Sequence, residues 1–349
     1  MGDHGEWRDE NDNGTFYQER AEEEGDGQNT LIALYVITIA YSITFIFGVA
    51  GNGWVVFNLL RTRPWQEGGV TPSQRSRTYI LVLALSDLLL LLTLPKTITF
   101  INTGDWMFGS IMCHISLAME IFTKLFSVLI LTAMSLERYF IVCTRWRHSI
   151  SHGLLYIPLS IALFFCVIIP MAVQIHYTQL IYLQDDMTGI VHRVCANAMP
   201  DFMFTPFVTY TFIMGFAAPL AIMALCYIFL VRHVRAKFRK RTNKDVMACK
   251  MVREPRYMNE MRKSIWRIAI YHFICWGPFW LFTISTMLKG GEAPAWLTYA
   301  RLVANILPYV NAAGNWILYA VLNYDVRKHI YSGNSKNRRA FFFLTSVTL

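Results

Sequence analysis

Asp87 is followed by five leucines and preceded by Leu83-Ala84-Leu85-Ser86, with no basic residue within two turns on its own helix. An ionisable group at mid-membrane costs about 2.5–3.5 kcal/mol on insertion scales, so it must face a cavity or a partner. Asn52, Ser127, Asn311 and Asn315 also fall in the middle of apolar segments. A carboxylate joined by hydroxyl and amide oxygens from other helices can hold a small hard cation such as sodium. A plain hydrogen-bond cluster between helices is the alternative, and polarity alone favours it.

Two further charged pairs carry possible chemistry. Glu120 and Lys124 are spaced i, i+4 with the acid first, the favourable order on a helix. They form either the polar floor of a pocket for a charged ligand or a self-neutralised pair that permits insertion. If the pair is closed, a cationic ligand must compete with Lys124 for Glu120. Glu137 and Arg138 end a long apolar run that starts at Ile111, where ordinary core packing does not call for an ion pair.

The elements that position these groups follow from hydropathy. The 349-residue chain is 54% hydrophobic, against about 45–50% for a soluble domain. The excess falls in seven blocks, about 31–60, 77–103, 110–143, 153–175, 203–233, 262–289 and 294–322. Each is about 20 residues or more, enough to cross roughly 30 Å of hydrocarbon as a helix. The expectation is an all-α membrane protein, a seven-transmembrane bundle over 31–322. An acidic extracellular tail, 1–30, precedes it and a cytoplasmic tail, 323–349, follows. Residues 323–331, with Tyr324, Val326 and Ile330 on one face, suit a short amphipathic helix on lipid.

Charge sets the orientation. Residues 1–30 hold ten acids and two bases, a net −8, so the remainder carries +17. Bases cluster in alternate loops: Arg61 to Arg77, Arg145 and Arg147, Arg232 to Lys263, and Arg327 to Arg339. By the positive-inside rule the N-terminus is extracellular and the C-terminus cytoplasmic. A nucleic-acid partner is excluded for a chain this apolar. Cys113 and Cys195 then lie outside, and the other five cysteines lie in the membrane or on the reducing side. One disulfide, Cys113–Cys195, explains the odd total of seven. Closing a loop of about 80 residues contributes about 4 kcal/mol in the chain-entropy model. Asn13 opens an Asn-Gly-Thr glycosylation sequon in the outer tail.

Pro95, Pro170, Pro219, Pro278 and Pro308 interrupt five spans and suit kinked helices around a polar interior. Between spans four and five, Gln179–Leu183 and Ile190–Val194 flank a turn at Asp185–Gly189 and read as a β-hairpin. A hairpin lid leaves a pocket open enough for a peptide. The acidic tail and Asp185-Asp186 would steer a basic one.

Over residues 31 to 331 the chain resembles the rhodopsin-like (class A) G-protein-coupled receptors. The marks are Gly51-Asn52, Leu83-Ala84-Leu85-Ser86-Asp87, Trp106-Met107-Phe108-Gly109 before Cys113, Glu137-Arg138-Tyr139, Pro219 with Tyr227, Cys275-Trp276-Gly277-Pro278, and Asn315 with Tyr319. Asp87 to Pro95 and Tyr210 to Pro219 look like the peptide branch, near the somatostatin, opioid and allatostatin-C receptors. The resemblance implies a plasma-membrane neuropeptide receptor that activates a heterotrimeric G protein of the Gi/o type, with arrestin and membrane lipid as further partners. It implies ligand contacts at Glu120, Lys124, Trp276 and Tyr309, and a sodium site at Asp87, Ser127, Asn311 and Asn315. Glu137 becomes the restraint on Arg138, beside Tyr139. Tyr227 and Tyr319 stabilise the open form, and Trp146 fills a G-protein pocket. No catalytic residue and no cofactor beyond that sodium is expected.

Several positions depart from the family pattern. Trp316 replaces a proline, His272 a phenylalanine and Glu120 an aspartate, and no acid stands near Met258. A non-signalling decoy, or a small amine or acid receptor built on Glu120 and Lys124, are the alternatives these departures raise. An enzyme is disfavoured, since no metal-spaced cluster, phosphate loop or nucleophile–base pair is present. A retinal photoreceptor lacks its lysine in the seventh span.

Overall fold

The computed structural model describes residues 11–61, 72–143, 161–162, 164–184, 189–245, 256–289 and 294–318. Trp146, Tyr319, the 185–188 turn and the 323–331 segment lie outside them, as do the side chains of Asn13, Arg138 and Met258.

Helix α1 (Asn11–Arg61) carries the first span, Leu31–Arg61. The second combines α2 (Pro72–Leu91) and α3 (Leu94–Thr103), and the third is α4 (Gly109–Cys143). The fourth is described as a π turn, Phe164–Ile168, running into α5 (Ile169–Tyr177). The fifth is α6 (Asp201–Phe212), a π turn at Ile213–Ala217, and α7 (Ala218–Asp245). The sixth is α8 (Arg256–Lys289), and the seventh is α9 (Ala295–Ala304) followed by α10 (Leu307–Trp316). Five of the spans, the interrupted second and fifth among them, run for 24 to 33 residues and are long and apolar enough to cross a membrane. The broken seventh and the fourth complete the expected seven.

Proline explains most interruptions. It removes an amide donor, and its ring presses on the carbonyl four residues back. The π turns of spans four and five end just before Pro170 and Pro219, where a wider turn moves that carbonyl away. Span two breaks at Leu92–Thr93 before Pro95, and the Thr93 hydroxyl donates to Leu90 O at 2.7 Å. Span seven breaks at Asn305–Ile306 before Pro308.

The third span is the hub. It packs on the second, fourth and fifth spans and on both strands of the hairpin. The first span packs on the second and seventh, and the sixth on the fifth and seventh. Val55, Leu83, Leu131, Met134, Met223 and Trp316 form the core toward one end. Tyr41, Leu91, Leu94 and Tyr309 form a second core toward the hairpin. Outward-facing Ile39, Ile43 and Ile46 are 57–67% exposed. That surface is stable only against lipid, and helices suit it because their backbone bonds are internally satisfied.

Strands β1 (Thr178–Gln184) and β2 (Val191–Asn197) pair antiparallel with Leu180 opposite Cys195. The expected hairpin is therefore present and slightly longer than its sequence pattern. A disulfide joins Cys195 to Cys113 at the start of α4, as topology required.

Candidate functional site

Beneath the hairpin, the third to sixth spans line an open cavity of about 230 Å³. Glu120, Lys124, Thr211, Trp276, Phe279 and Trp280 are among its walls. One turn of α4 separates Glu120 from Lys124, so both side chains point into the same space. Lys124 Nζ is paired with Glu120 Oε1. The ammonium also lies 5.7 Å from the Phe279 ring centroid and 5.3 Å from that of Tyr309, within cation–π range. Trp276 forms part of the aromatic floor, stacked on His272 at 5.6 Å and edge-on to Phe279. His272 is 1% exposed, and neither ring nitrogen has a hydrogen-bond partner among the described residues. It stacks on Phe216 as well, so the imidazole fills the place of an aromatic ring.

The hairpin is tied to this cavity at three points. Gln174, another wall residue, accepts from Asn197 Nδ2 at 3.2 Å and lies 3.4 Å from the Thr178 hydroxyl. Thr178 and Asn197 are the pair that closes the hairpin. The disulfide fixes its middle to α4. Asp105 fixes the same strand, β2, nearer the turn: its carboxylate accepts from Arg193 N at 2.7 Å, Nε at 3.1 Å and Nη2 at 2.5 Å. Trp106 N donates to Arg193 O at 2.7 Å. These bonds hold the Asp105 carboxyl down at about 2, chiefly through the guanidinium. The loop can double back to the hairpin because Gly104 and Gly109 take positive φ, 66° and 75°.

Below the cavity lies a polar core. Asp87, 1% exposed, accepts from Asn315 Nδ2 at 2.9 Å and from the Ser127 hydroxyl at 3.4 Å. Ser86 and Ser127 are 3.0 Å apart. Asn52 Nδ2 donates to Gly48 O and Ala312 O, linking spans one and seven, while its buried Oδ1 has no partner among the described residues. Asn311 is buried nearby in sequence from Asn315, but its amide nitrogen has no hydrogen-bond partner among the described residues. The structure thus joins Asp87 to Ser127 and Asn315, and shows no direct bond from Asp87 to Asn311.

At the end away from the hairpin, Glu137 is 4% exposed on α4. Tyr139 packs on Phe140 and Phe229. Tyr227 stacks on Trp266 at 5.0 Å, joining spans five and six. Sequence reasoning passed over four residues that matter here. Trp266 and Tyr271 bridge spans, Tyr271 by donating to Val310 O at 2.6 Å. Arg193 anchors the hairpin. Lys96 sits 5.6 Å from the Trp106 ring centroid, within cation–π range. A lone lysine inside an apolar block was the available signal for Lys96; the other three had none.

The seven-transmembrane receptor model of the rhodopsin family matches residues 51–319. A probable G-protein coupled receptor of Caenorhabditis elegans is 28% identical over 320 residues, covering 86% of this chain and 69% of that protein. Neuropeptide receptor 18 of the same species is 27% identical, covering 83% and 65%. Somatostatin receptor type 3 of Mus musculus is 30% identical over 308 residues, covering 84% and 67%. The chain thus spans about two thirds of the length of each. The match extends from the first span through the polar core to the seventh, and the chain belongs to the rhodopsin family of seven-transmembrane receptors.

Proposed function

We propose that this receptor binds an extracellular peptide and catalyses guanine-nucleotide exchange on a heterotrimeric G protein of the Gi/o type. The observation that carries the peptide assignment is the hairpin, fastened to the cavity at Gln174, Cys113 and Asp105, above an aromatic floor. A flexible peptide can reach the charged floor past a lid held at its base and edge. The names of the relatives, somatostatin and neuropeptide receptors, support the same ligand class, and the somatostatin likeness is the ground for Gi/o.

In this reading the hairpin end faces outside and the basic end faces the cytoplasm of a plasma-membrane protein. Ligand contacts at Glu120, Lys124, Trp276 and Tyr309 bias the sixth span, and the bias is a population shift toward an open inner face. Arg138, released from Glu137, meets the G protein there with Trp146. Tyr139, Tyr227 and Tyr319 hold the opened helices. Arrestin uses the same face, and lipid surrounds the bundle. Asp87, Ser127, Asn311 and Asn315 supply oxygens suited to one sodium ion, which would favour the closed form.

The test is exchange measured on membranes presented with a peptide library. Arg138→Ala should abolish exchange and leave peptide binding within about twofold. Exchange that survives in this variant removes the mechanism, and binding without exchange in the wild type points to a decoy.

A further inference from the structure

Most polar groups in the cavity wall are already engaged. Lys124 is paired with Glu120, and its ammonium also rests against the Phe279 and Tyr309 rings. The Gln174 amide is bonded to Asn197 and Thr178 at the base of the hairpin. The Thr211 hydroxyl donates to Phe207 O at 2.9 Å and to Val208 O at 3.0 Å in its own helix. The indole N–H groups of Trp276 and Trp280 have no partner among the described residues, but they are donors and offer an ammonium nothing. The remaining side chains are apolar: Leu117, Ile121 and Leu125 on the third span and Phe279 on the sixth. A closed ion pair thus sits in a wall made chiefly of rings and aliphatic carbon.

A charged ligand group of either sign meets this wall badly. A cation that takes Glu120 strands the Lys124 ammonium, and an anion that takes Lys124 strands the Glu120 carboxylate. Stranding one member of a desolvated pair is more costly than leaving the pair closed. An uncharged ring avoids both outcomes and gains edge-on or offset contacts with Trp276, Phe279 and Trp280. Space allows it: an apolar cavity of about 150 Å³ is enough for benzene, and this one is about 230 Å³. We infer that the ligand anchors by inserting an uncharged aromatic side chain between the third and sixth spans, beside a Glu120–Lys124 pair that stays closed. The inference rests on the peptide-receptor reading and deepens it, because it names the residue class that the site selects. Glu120 and Lys124 then touch the ligand as a neutral pair.

The experiment uses full-length receptor in nanodiscs and a library of random octapeptides, with retention read by affinity-selection mass spectrometry. Each retained peptide is then resynthesised with single exchanges. Retained sequences should share an aromatic residue, and its exchange for alanine should weaken binding about tenfold or more. Its exchange for lysine or glutamate should abolish retention. Two receptor variants locate the ring. Leu117→Phe fills the cavity and should remove the penalty of the alanine exchange. Leu117→Ala enlarges the cavity and should turn the preference at that position from phenylalanine toward naphthylalanine. A receptor that is merely destabilised weakens all peptides alike and leaves this order unchanged. Surface display of an N-terminal epitope verifies that each variant inserts, and Ile121→Ala takes the place of Leu117→Ala if that one does not. Retained peptides whose largest loss follows exchange of a basic or acidic residue, with aromatic exchanges costing less than about threefold, overturn the inference and leave the peptide reading standing. An aromatic requirement that no cavity variant alters places the ring elsewhere and overturns the inference as well. Retention of no peptide overturns the peptide reading, and the inference falls with it.

Discussion

The indole of Trp316 occupies the space that a side chain on Gly51 would need. A Cβ built on Gly51 would fall 2.0 Å from Trp316 Nε1 and 2.2 Å from Cε2. Phe47 and Trp54, on either side of Gly51, lie 5.4 and 6.4 Å from the same indole, centroid to centroid. Trp316 is 4% exposed. The residue that replaces the family's proline is thus a wedge seated in a notch of the first span.

Gly51→Ala should therefore destabilise the receptor by about 1–3 kcal/mol, the usual cost of overpacking. Thermal inactivation of purified protein in nanodiscs measures it. Trp316→Leu should lose packing on its own but absorb the added methyl group, so the double variant should be better than the two single losses combined. Simple additivity would show that the two residues do not share the notch.

Tyr271 ties the sixth span to the seventh through its 2.6 Å bond to Val310 O. The same hydroxyl fills the space beside Gly314, where a Cβ would fall 2.0 Å away. Tyr271→Phe should cost about 0.5–1.5 kcal/mol, the net worth of one hydrogen bond. Gly314→Ala should cost more in the wild type than in the Tyr271→Phe background, because phenylalanine has no oxygen there. Equal costs in the two backgrounds, read from thermal inactivation, would place the tyrosine elsewhere.

Much of this architecture was legible because lipid imposes a simple rule. A crossing needs about 20 apolar residues, and Leu31–Arg61 or Asp201–His233 satisfies it without reference to any other segment. The hairpin was legible for a local reason too, since alternation and a turn are written in neighbouring residues. What escaped was set by contacts between distant residues. Asp105 and Arg193 are 88 positions apart, and each alone reads as a solvated loop charge. Lys96 follows a proline near the end of an apolar block, and only the fold sets its ammonium against the Trp106 ring. Trp316 stands where the family has a proline, yet span seven is still broken. The break in span seven lies earlier, at Asn305–Ile306, where Pro308 accounts for it.

The Asp105–Arg193 anchor has a defined pH range. Its carboxyl is held at about 2, below the ordinary 3.8 of an aspartate. A depressed folded value contributes stability that is complete above the unfolded value and disappears as pH falls through the folded one. Hydrogen exchange of the β2 amides should therefore be independent of this group from pH 8 down to about 5. Protection should fall only below about pH 4 and be lost near 2. Asp105→Asn should raise β2 exchange at pH 7 and abolish the acid step. A step centred near neutrality would assign hairpin docking to another group.

The second fastening of the lid is covalent and should be the more costly to lose. Cys113 and Cys195 close a loop of 82 residues in sequence separation, and restoring that freedom to the unfolded chain costs about 4 kcal/mol in the entropy model. Cys113 is fully buried at the base of the hairpin, so a serine there also places an unpaired hydroxyl beside the Cys195 thiol. Cys113→Ser should collapse surface display of an N-terminal epitope. Cys195→Ser should do so to the same extent, and the double serine variant should be no worse than either single one, because all three lack the same bond. Display that survives in the single variants, or damage that adds in the double one, would show that the hairpin is seated by its hydrogen bonds and that the disulfide is dispensable.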